Sequence, residues 1–249
     1  MKVLVIGDSC TDVFRYGTCD RLSPEAPVPV FLPTRTTENG GMAINVMENL
    51  MALGIDCDII TNVGKPVKTR YVDEVSNQIL LRVDVNDDIM RVMSSTMFEI
   101  KYENYDAVVI SDYNKGYLEV DDIIDITNHH PLVFMDTKKK IGDWAKGVEF
   151  MKLNEKEFNE NWNKGFEFQG DLVTTRGKDG ALLNFHEVFP IEDEQEVRDL
   201  SGAGDTFLAT LVADYIKNGD IRNAIKYANR CASWVVSQKG VVTVNLEMI

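Results

Sequence analysis

Cysteine, histidine and positive charge are all scarce in this chain. It holds 4 Cys and 3 His in 249 residues, and 26 Lys and Arg stand against 40 Asp and Glu, for a net charge of −14. Cys10, Cys19, Cys57 and Cys231 lack metal-type spacing, and His129, His130 and His186 are no better placed as ligands. Free thiols in a reducing compartment are the expectation, with a disulfide pair the unsupported alternative. The acidic balance argues against general binding to nucleic acid or anionic membrane. Any phosphorylated ligand must therefore meet a local positive site. No apolar run approaches membrane-spanning length, and Met1-Lys-Val-Leu-Val-Ile6 runs straight into Gly7-Asp8, too short for a signal peptide. A cytoplasmic location is expected. Repeats, low-complexity tracts and long linkers are also missing.

What remains is an ordinary globular composition, 44% hydrophobic and 27% charged, with enough length for one large domain or two small ones. Residues 2–6 form a short apolar run stopped by Gly-Asp, which reads as a buried strand. The proline-rich run 26–32 reads as an edge or protruding strand. A helix is predicted over 42–53, ended by Gly54, and a strand over 57–61. Residues 69–75 and 78–83 read as a hairpin about Ser76-Asn77. The link from Thr61 is too short for a parallel crossover, so the hairpin should leave the main sheet and pair with the proline-rich strand. Strands at 107–110, 132–136, 150–153, 172–175 and 181–184 then alternate with helices at 121–128, after Asn154, at 203–217 and at 221–236. The expected fold is α/β: a largely parallel central sheet with helices on both faces, and a small β lid. Ligands in such folds bind at the carboxyl ends of the strands.

The run Asp199-Leu-Ser-Gly-Ala-Gly-Asp-Thr-Phe207 carries the most chemistry. A glycine-rich turn opening a helix leaves unpaired N–H groups aimed at one spot, and the helix dipole favours an anion there. Asp205 adds a carboxylate beside that spot. An anion cradle next to a base suits phosphoryl transfer to a hydroxyl.

This segment resembles the C-terminal motif of the ribokinase-type carbohydrate kinases, and Gly40-Gly-Met-Ala-Ile-Asn45 their N-terminal double-glycine motif. Five further features are similar to the kinase domain of bacterial heptose 7-phosphate kinase/heptose 1-phosphate adenylyltransferase. These are Val5-Ile-Gly-Asp8 with Asp12, Arg21-Leu-Ser-Pro-Glu-Ala-Pro-Val-Pro-Val30, Ser111-Asp-Tyr-Asn-Lys-Gly116 and Thr174-Thr-Arg-Gly177. The resemblance implies a single kinase domain over 1–249, with lid strands near 26–33 and 68–84 and no adenylyltransferase domain. It also shows this chain shortened between Gly64 and Lys68 and between Phe158 and Asp171, with Asp136-Thr-Lys138 in place of Asp-Pro-Lys. The catalytic end looks complete and the sugar-side wall trimmed.

From the resemblance, Asp205 is the general base, and Gly202, Ala203 and Gly204 stabilise the transferring phosphoryl group. Asp12 and Asn45 bind sugar hydroxyls, with Gly40 and Gly41 turning the chain beside the sugar. Asn154 and Glu157 act on Mg²⁺ through water. Thr175, Gly177, Gly180 and Asn229 bind ATP. Arg21, Arg82 and Lys115 are the cations offered to a resident sugar phosphate. Plainer readings stay open: a polar turn at Asp12, a helix-face amide at Asn45 and Asn229, a helix cap at Asn154, and a strand–turn–strand about Gly177 and Gly180. A monovalent cation is a further candidate cofactor. The expected activity is ATP-dependent phosphorylation of the anomeric hydroxyl of a heptose 7-phosphate-like sugar. The alternatives are a kinase of another sugar, such as a ketohexose, and a non-catalytic binding homologue. A homodimer through the lid strands is expected, with no nucleic-acid or membrane partner.

Overall fold

The computed structural model describes residues 1–245 except Lys65, Lys164 and Glu194, so the last four residues of the expected 1–249 domain lie outside the described residues. In chain order the elements are β1 (Lys2–Gly7), β2 (Ser9–Thr18), β3 (Leu32–Met42), α1 (Ala43–Ala52), β4 (Asp56–Thr61), β5 (Val67–Asp73), β6 (Ile79–Val85), α2 (Ser94–Phe98) and β7 (Ala107–Asp112). They continue with α3 (Val120–His129), β8 (Val133–Thr137), β9 (Phe150–Asn154), α4 (Glu155–Asn161), β10 (Asp171–Thr175), β11 (Ala181–Leu183), β12 (Glu187–Phe189), α5 (Ala203–Asn218) and α6 (Ile221–Val236).

The main sheet runs β12-β11-β10-β9-β8-β7-β1-β4. Its strands from β10 to β4 are parallel, and β11 and β12 add an antiparallel edge. The alternation of a strand's side chains divides the core in two. Val3 and Val5 of β1 face α1, α5 and α6, while Leu4 and Ile6 face the α3 side with Ile123 and Ile126. All four β1 side chains are fully buried, so truncating one to alanine should cost about 2–5 kcal/mol. Burial on both faces is why these strands read as continuous apolar runs.

The second sheet has the order β3-β2-β5-β6. Here the structure corrects two expectations. The proline-rich run 26–32 is not a strand: it carries one isolated bridge, Leu22 to Pro29, and the strand begins at Leu32. Proline has no N–H to give to a ladder, which keeps this stretch out of the sheet. The hairpin does leave the main sheet, but it pairs in parallel with β2, a strand absent from the sequence reading. Its turn is held by Asp73, whose carboxylate accepts the Ser76 N–H at 2.7 Å, with Asn77 in the left-handed region at φ 59°.

Polar residues gather where the parallel strands end: Asp8 after β1, Asp112 on β7, Asp136 on β8 and Asn154 on β9. The first turn of α5 meets them there.

Candidate active site

α5 is preceded by Gly202, whose φ of 80° is left-handed and suits glycine. A side chain there would also place its Cβ 2.7 Å from Asn45 Nδ2. Among the described residues, no backbone carbonyl takes the N–H groups of Gly204 and Asp205. The helix N-terminus therefore presents free donors, and its dipole favours an anion.

Asp205 sits in this first turn, 5% exposed. The Tyr113 hydroxyl donates to its Oδ1 at 2.7 Å, and Asn45 Nδ2 donates to its Oδ2 at 3.1 Å. Burial pushes the Asp205 carboxyl up to about 6, against the pull of these two hydrogen bonds. Asp136 pushes it the same way as burial, and Lys152 opposes. A carboxyl held near the working pH range is suited to take a proton. Asn45 is itself fixed, since Asn49 Nδ2 donates to its Oδ1 at 3.0 Å. The amide assigned to sugar hydroxyls thus also holds the carboxylate assigned as base.

Lys152 and Asp136 lie on neighbouring strands in register. Their buried charges meet at 2.5 Å. Lys152 Nζ also abuts the α5 turn: a Cβ on Gly204 would lie 3.0 Å from it. A buried cation therefore stands at the anion cradle.

On one side of the cradle is a cavity of about 360 Å³. Thr175, Gly177, Gly180, Gly204 and Asn229 all line it, together with Phe207. These come from the end of β10, the turn after it, α5 and α6, and their union depends on the fold. Asn229 Nδ2 already donates to the Phe189 carbonyl at 2.9 Å. A larger cavity of about 680 Å³ lies beside residues 62–64, where the chain is short, and carries none of this chemistry.

On the other side stands the lid. Asp12, on β2 and 7% exposed, is paired with Arg70 of β5. Gly41 presses on it so closely that a Cβ would lie 2.3 Å from Asp12 Oδ2, and one on Gly40 would lie 2.0 Å from Ile44 Cγ2. Any side chain at either glycine would displace its neighbours. Lys68, 6% exposed, makes no ion pair among the described residues. Its Nζ lies 3.8 Å from Met42 Sδ and 5.6 Å from the centre of the Tyr113 ring.

The three cations offered to a sugar phosphate fare differently. Arg82 faces Arg70 across the hairpin but is forked onto Asp84 at 2.7 and 2.8 Å. Lys115 is paired with Asp87. Arg21 is exposed in the loop before β3, where its carbonyl accepts the Val30 N–H at 3.0 Å. Lys68 and Arg70, both on β5 near Asp12, were not among the sequence candidates, although both fall in the expected 68–84 lid span.

Asn154 and Glu157 form a capping box on α4. Asn154 Oδ1 accepts the Glu157 N–H at 2.8 Å, and Glu157 Oε2 accepts the Asn154 N–H at 2.9 Å. Glu157 Oε1 takes Lys138 Nζ at 2.7 Å. Both carboxylate oxygens are occupied, and among the described residues no group of three His, Cys, Asp or Glu is placed to hold a metal. These residues fit Mg²⁺ through its waters and not by direct coordination. All four cysteines are free.

Residues 103–248 match the family described as pfkB family carbohydrate kinase. The chain belongs to the pfkB family of carbohydrate kinases. Relatives of this pfkB chain include the bifunctional protein HldE of Helicobacter acinonychis, 29% identical over 305 residues, and that of a Nitratiruptor species, 31% identical over 298 residues. Both comparisons cover 100% of this chain, which spans 65% and 64% of their lengths. Phosphofructokinase-2 from Escherichia coli shares the fold with a TM-score of 0.72 at 12% identity, covering 99% of this chain and 96% of that one. Ribokinase from Thermotoga maritima gives 0.70 at 14%, covering 96% and 93%. The pfkB chain thus has a ribokinase-like fold, and no helix among its described residues is long and apolar enough to cross a membrane.

Proposed function

We propose that this carbohydrate kinase uses ATP to phosphorylate the anomeric hydroxyl of a heptose 7-phosphate-like sugar, with Asp205 as general base. One observation carries the reading: the buried Asp205 carboxylate stands at a helix N-terminus whose Gly204 and Asp205 N–H groups no backbone carbonyl takes among the described residues, with a cavity of about 360 Å³ on one side and Asp12, Arg70 and Lys68 on the other.

The sugar lies between lid and sheet, with hydroxyls on Asp12 and its phosphate drawn by Lys68 and Arg70. The triphosphate enters from the cavity. Asp205 takes the hydroxyl proton as the sugar oxygen bonds to the γ-phosphorus, and the bond to the β–γ bridging oxygen breaks to release ADP. The Gly204 and Asp205 N–H groups and the Lys152 ammonium meet the charge on the transferring group. Mg²⁺ would supply further charge neutralisation when bound with ATP, and Asn154 and Glu157 would hold it through its waters. Dimerisation through the lid belongs to the same reading: all seven β6 residues are exposed, with an unpaired edge.

An ADP-release assay over phosphorylated and unphosphorylated heptoses and ketohexoses tests this. Turnover is expected with the heptose 7-phosphate and is expected to fall about 10²–10⁴-fold in Asp205→Asn, which still binds ATP. Turnover only with an unphosphorylated sugar overturns the substrate. ATP binding with no turnover of any sugar overturns the activity.

A further inference from the structure

The proposed reaction assigns no role to the Ser111–Gly116 motif, whose Lys115 is paired with Asp87, yet its loop is held by several buried charges. Asp8, 1% exposed, accepts the Tyr113 N–H at 2.6 Å and the Tyr117 N–H at 3.4 Å. Asp112 accepts the Asn114 N–H at 3.0 Å and Lys139 Nζ at 3.2 Å. Lys139 Nζ reaches Asn114 Oδ1 as well, at 2.9 Å, and Asn114 adopts a left-handed φ of 55°. Asp8, Asp112 and Lys139 are all buried. Desolvating such charges costs several kcal/mol each before pairing offsets it. A simple strand-to-helix turn needs none of this.

What the loop delivers is the Tyr113 side chain. Its ring lies 4.2 Å from Lys138 Nζ and 5.6 Å from Lys68 Nζ, and its hydroxyl reaches Asp205 Oδ1 at 2.7 Å. Burial first, then Asp205, hold the phenol well above its usual range, so it remains a donor. A phenol that only donates stabilises a carboxylate and does nothing for the protonated acid on that oxygen. It also stops the carboxylate rotating.

We propose that Tyr113 is a positioning residue of the phosphoryl-transfer site, holding the general base Asp205 in one orientation and in its ionised form. The inference rests on the reading of Asp205 as base. Three other groups act on the Asp205 carboxylate, Asn45 from α1, Asp136 from β8 and Lys152 from β9, and the Cys10 thiol of β2 feels its charge. None of them changes in the test below.

The test is Tyr113→Phe in the full chain, with Asp8→Asn as a second variant that loosens the loop and keeps the phenol. The Asp205 carboxyl is followed by carbon NMR, assigned by its loss in Asp205→Asn, and kcat and KM are followed against pH. In Tyr113→Phe the carboxyl titrates at a higher pH than in the wild type, and the acid limb of kcat moves with it. kcat falls about tenfold or more, as for a lost hydrogen bond to a charged group, with the ATP KM unchanged. Asp8→Asn shifts both in the same direction by less. An unmoved Asp205 titration in a folded Tyr113→Phe overturns the proposal, as does a kcat within about twofold of wild type. If Asp205→Asn turns over like the wild type, the base reading fails instead, and the NMR titration still reports on the Tyr113 contact.

Discussion

Lys152 Nζ lies 2.5 Å from Asp136 Oδ2, and neither side chain is more than 9% exposed. Parallel pairing of β8 with β9 sets the two residues side by side, on the face that meets α5. Lys152→Met leaves a buried carboxylate without its partner, and is expected to cost about 3–5 kcal/mol of stability. Adding Asp136→Asn should recover part of that loss, because the stranded charge is then gone. Urea unfolding of the two single variants and the double variant measures the coupling. Equal midpoints for wild type and Lys152→Met would sink the assignment.

Asp205 gives a pH signature. Its folded pKa of about 6 lies above the ordinary 3.8 because burial penalises the charge. The folded state therefore binds this proton more tightly than the unfolded state. The penalty is absent below about pH 4, grows as pH rises to about 6, and is then constant at about 3 kcal/mol. Asp205→Asn removes that slope, so its stability relative to wild type should rise across this window. Parallel unfolding curves at pH 4.5 and 7.5 check the sign. Wild-type turnover should lose activity below about pH 6, as the base becomes protonated.

On the proposed reading, variants of the lid charges are expected to separate sugar recognition from phosphate recognition. Asp12→Ala is expected to raise the KM of any sugar substrate by about tenfold or more, the size of a charge-assisted hydrogen bond. Lys68→Met is expected to raise KM for a phosphorylated sugar and to leave that of an unphosphorylated one unchanged. Steady-state kinetics on both substrate types read the difference, and equal effects on the two would remove Lys68 from the phosphate site.

The lid edge carries Ile79, Leu81 and Val85, each about half exposed at 46–56%. Leu81→Asp places a charge on that edge and is expected to give a monomer by light scattering at micromolar concentration, where the wild type is expected to give a dimer. A dimer in both forms would move the interface elsewhere.

The main sheet was legible because β1, β7 and β8 are apolar runs buried on both faces, and no other element type fits runs so short between turn residues. α6 was read with its observed limits because Asp220 caps it, accepting the N–H groups of Arg222 and Asn223. β2 was missed: Ser9–Thr18 mixes polar and apolar residues, and it lies between β3 and β5, a pairing that no local pattern marks. The anion cradle is local, so nine consecutive residues displayed it. The contacts around it are not. Tyr113 and Asp205 are 92 positions apart, and Asn45 and Asp205 160, so only topology unites them. Lys152 stood inside a strand with no local mark of its role.

A single residue, Asp8, separates β1 in the main sheet from β2 in the lid. On the lid's other flank β3 passes into α1 with no loop at all, through Met42 at φ 62° and ψ −128°, a backbone shape strained for a residue with a side chain. At these two junctions the lid has no slack chain. Two of its four junctions are single residues, one gripping the Tyr113 loop by its carboxylate and the other touching Lys68 by its sulfur. The cover and the chemistry thus share two joints with no loop between them.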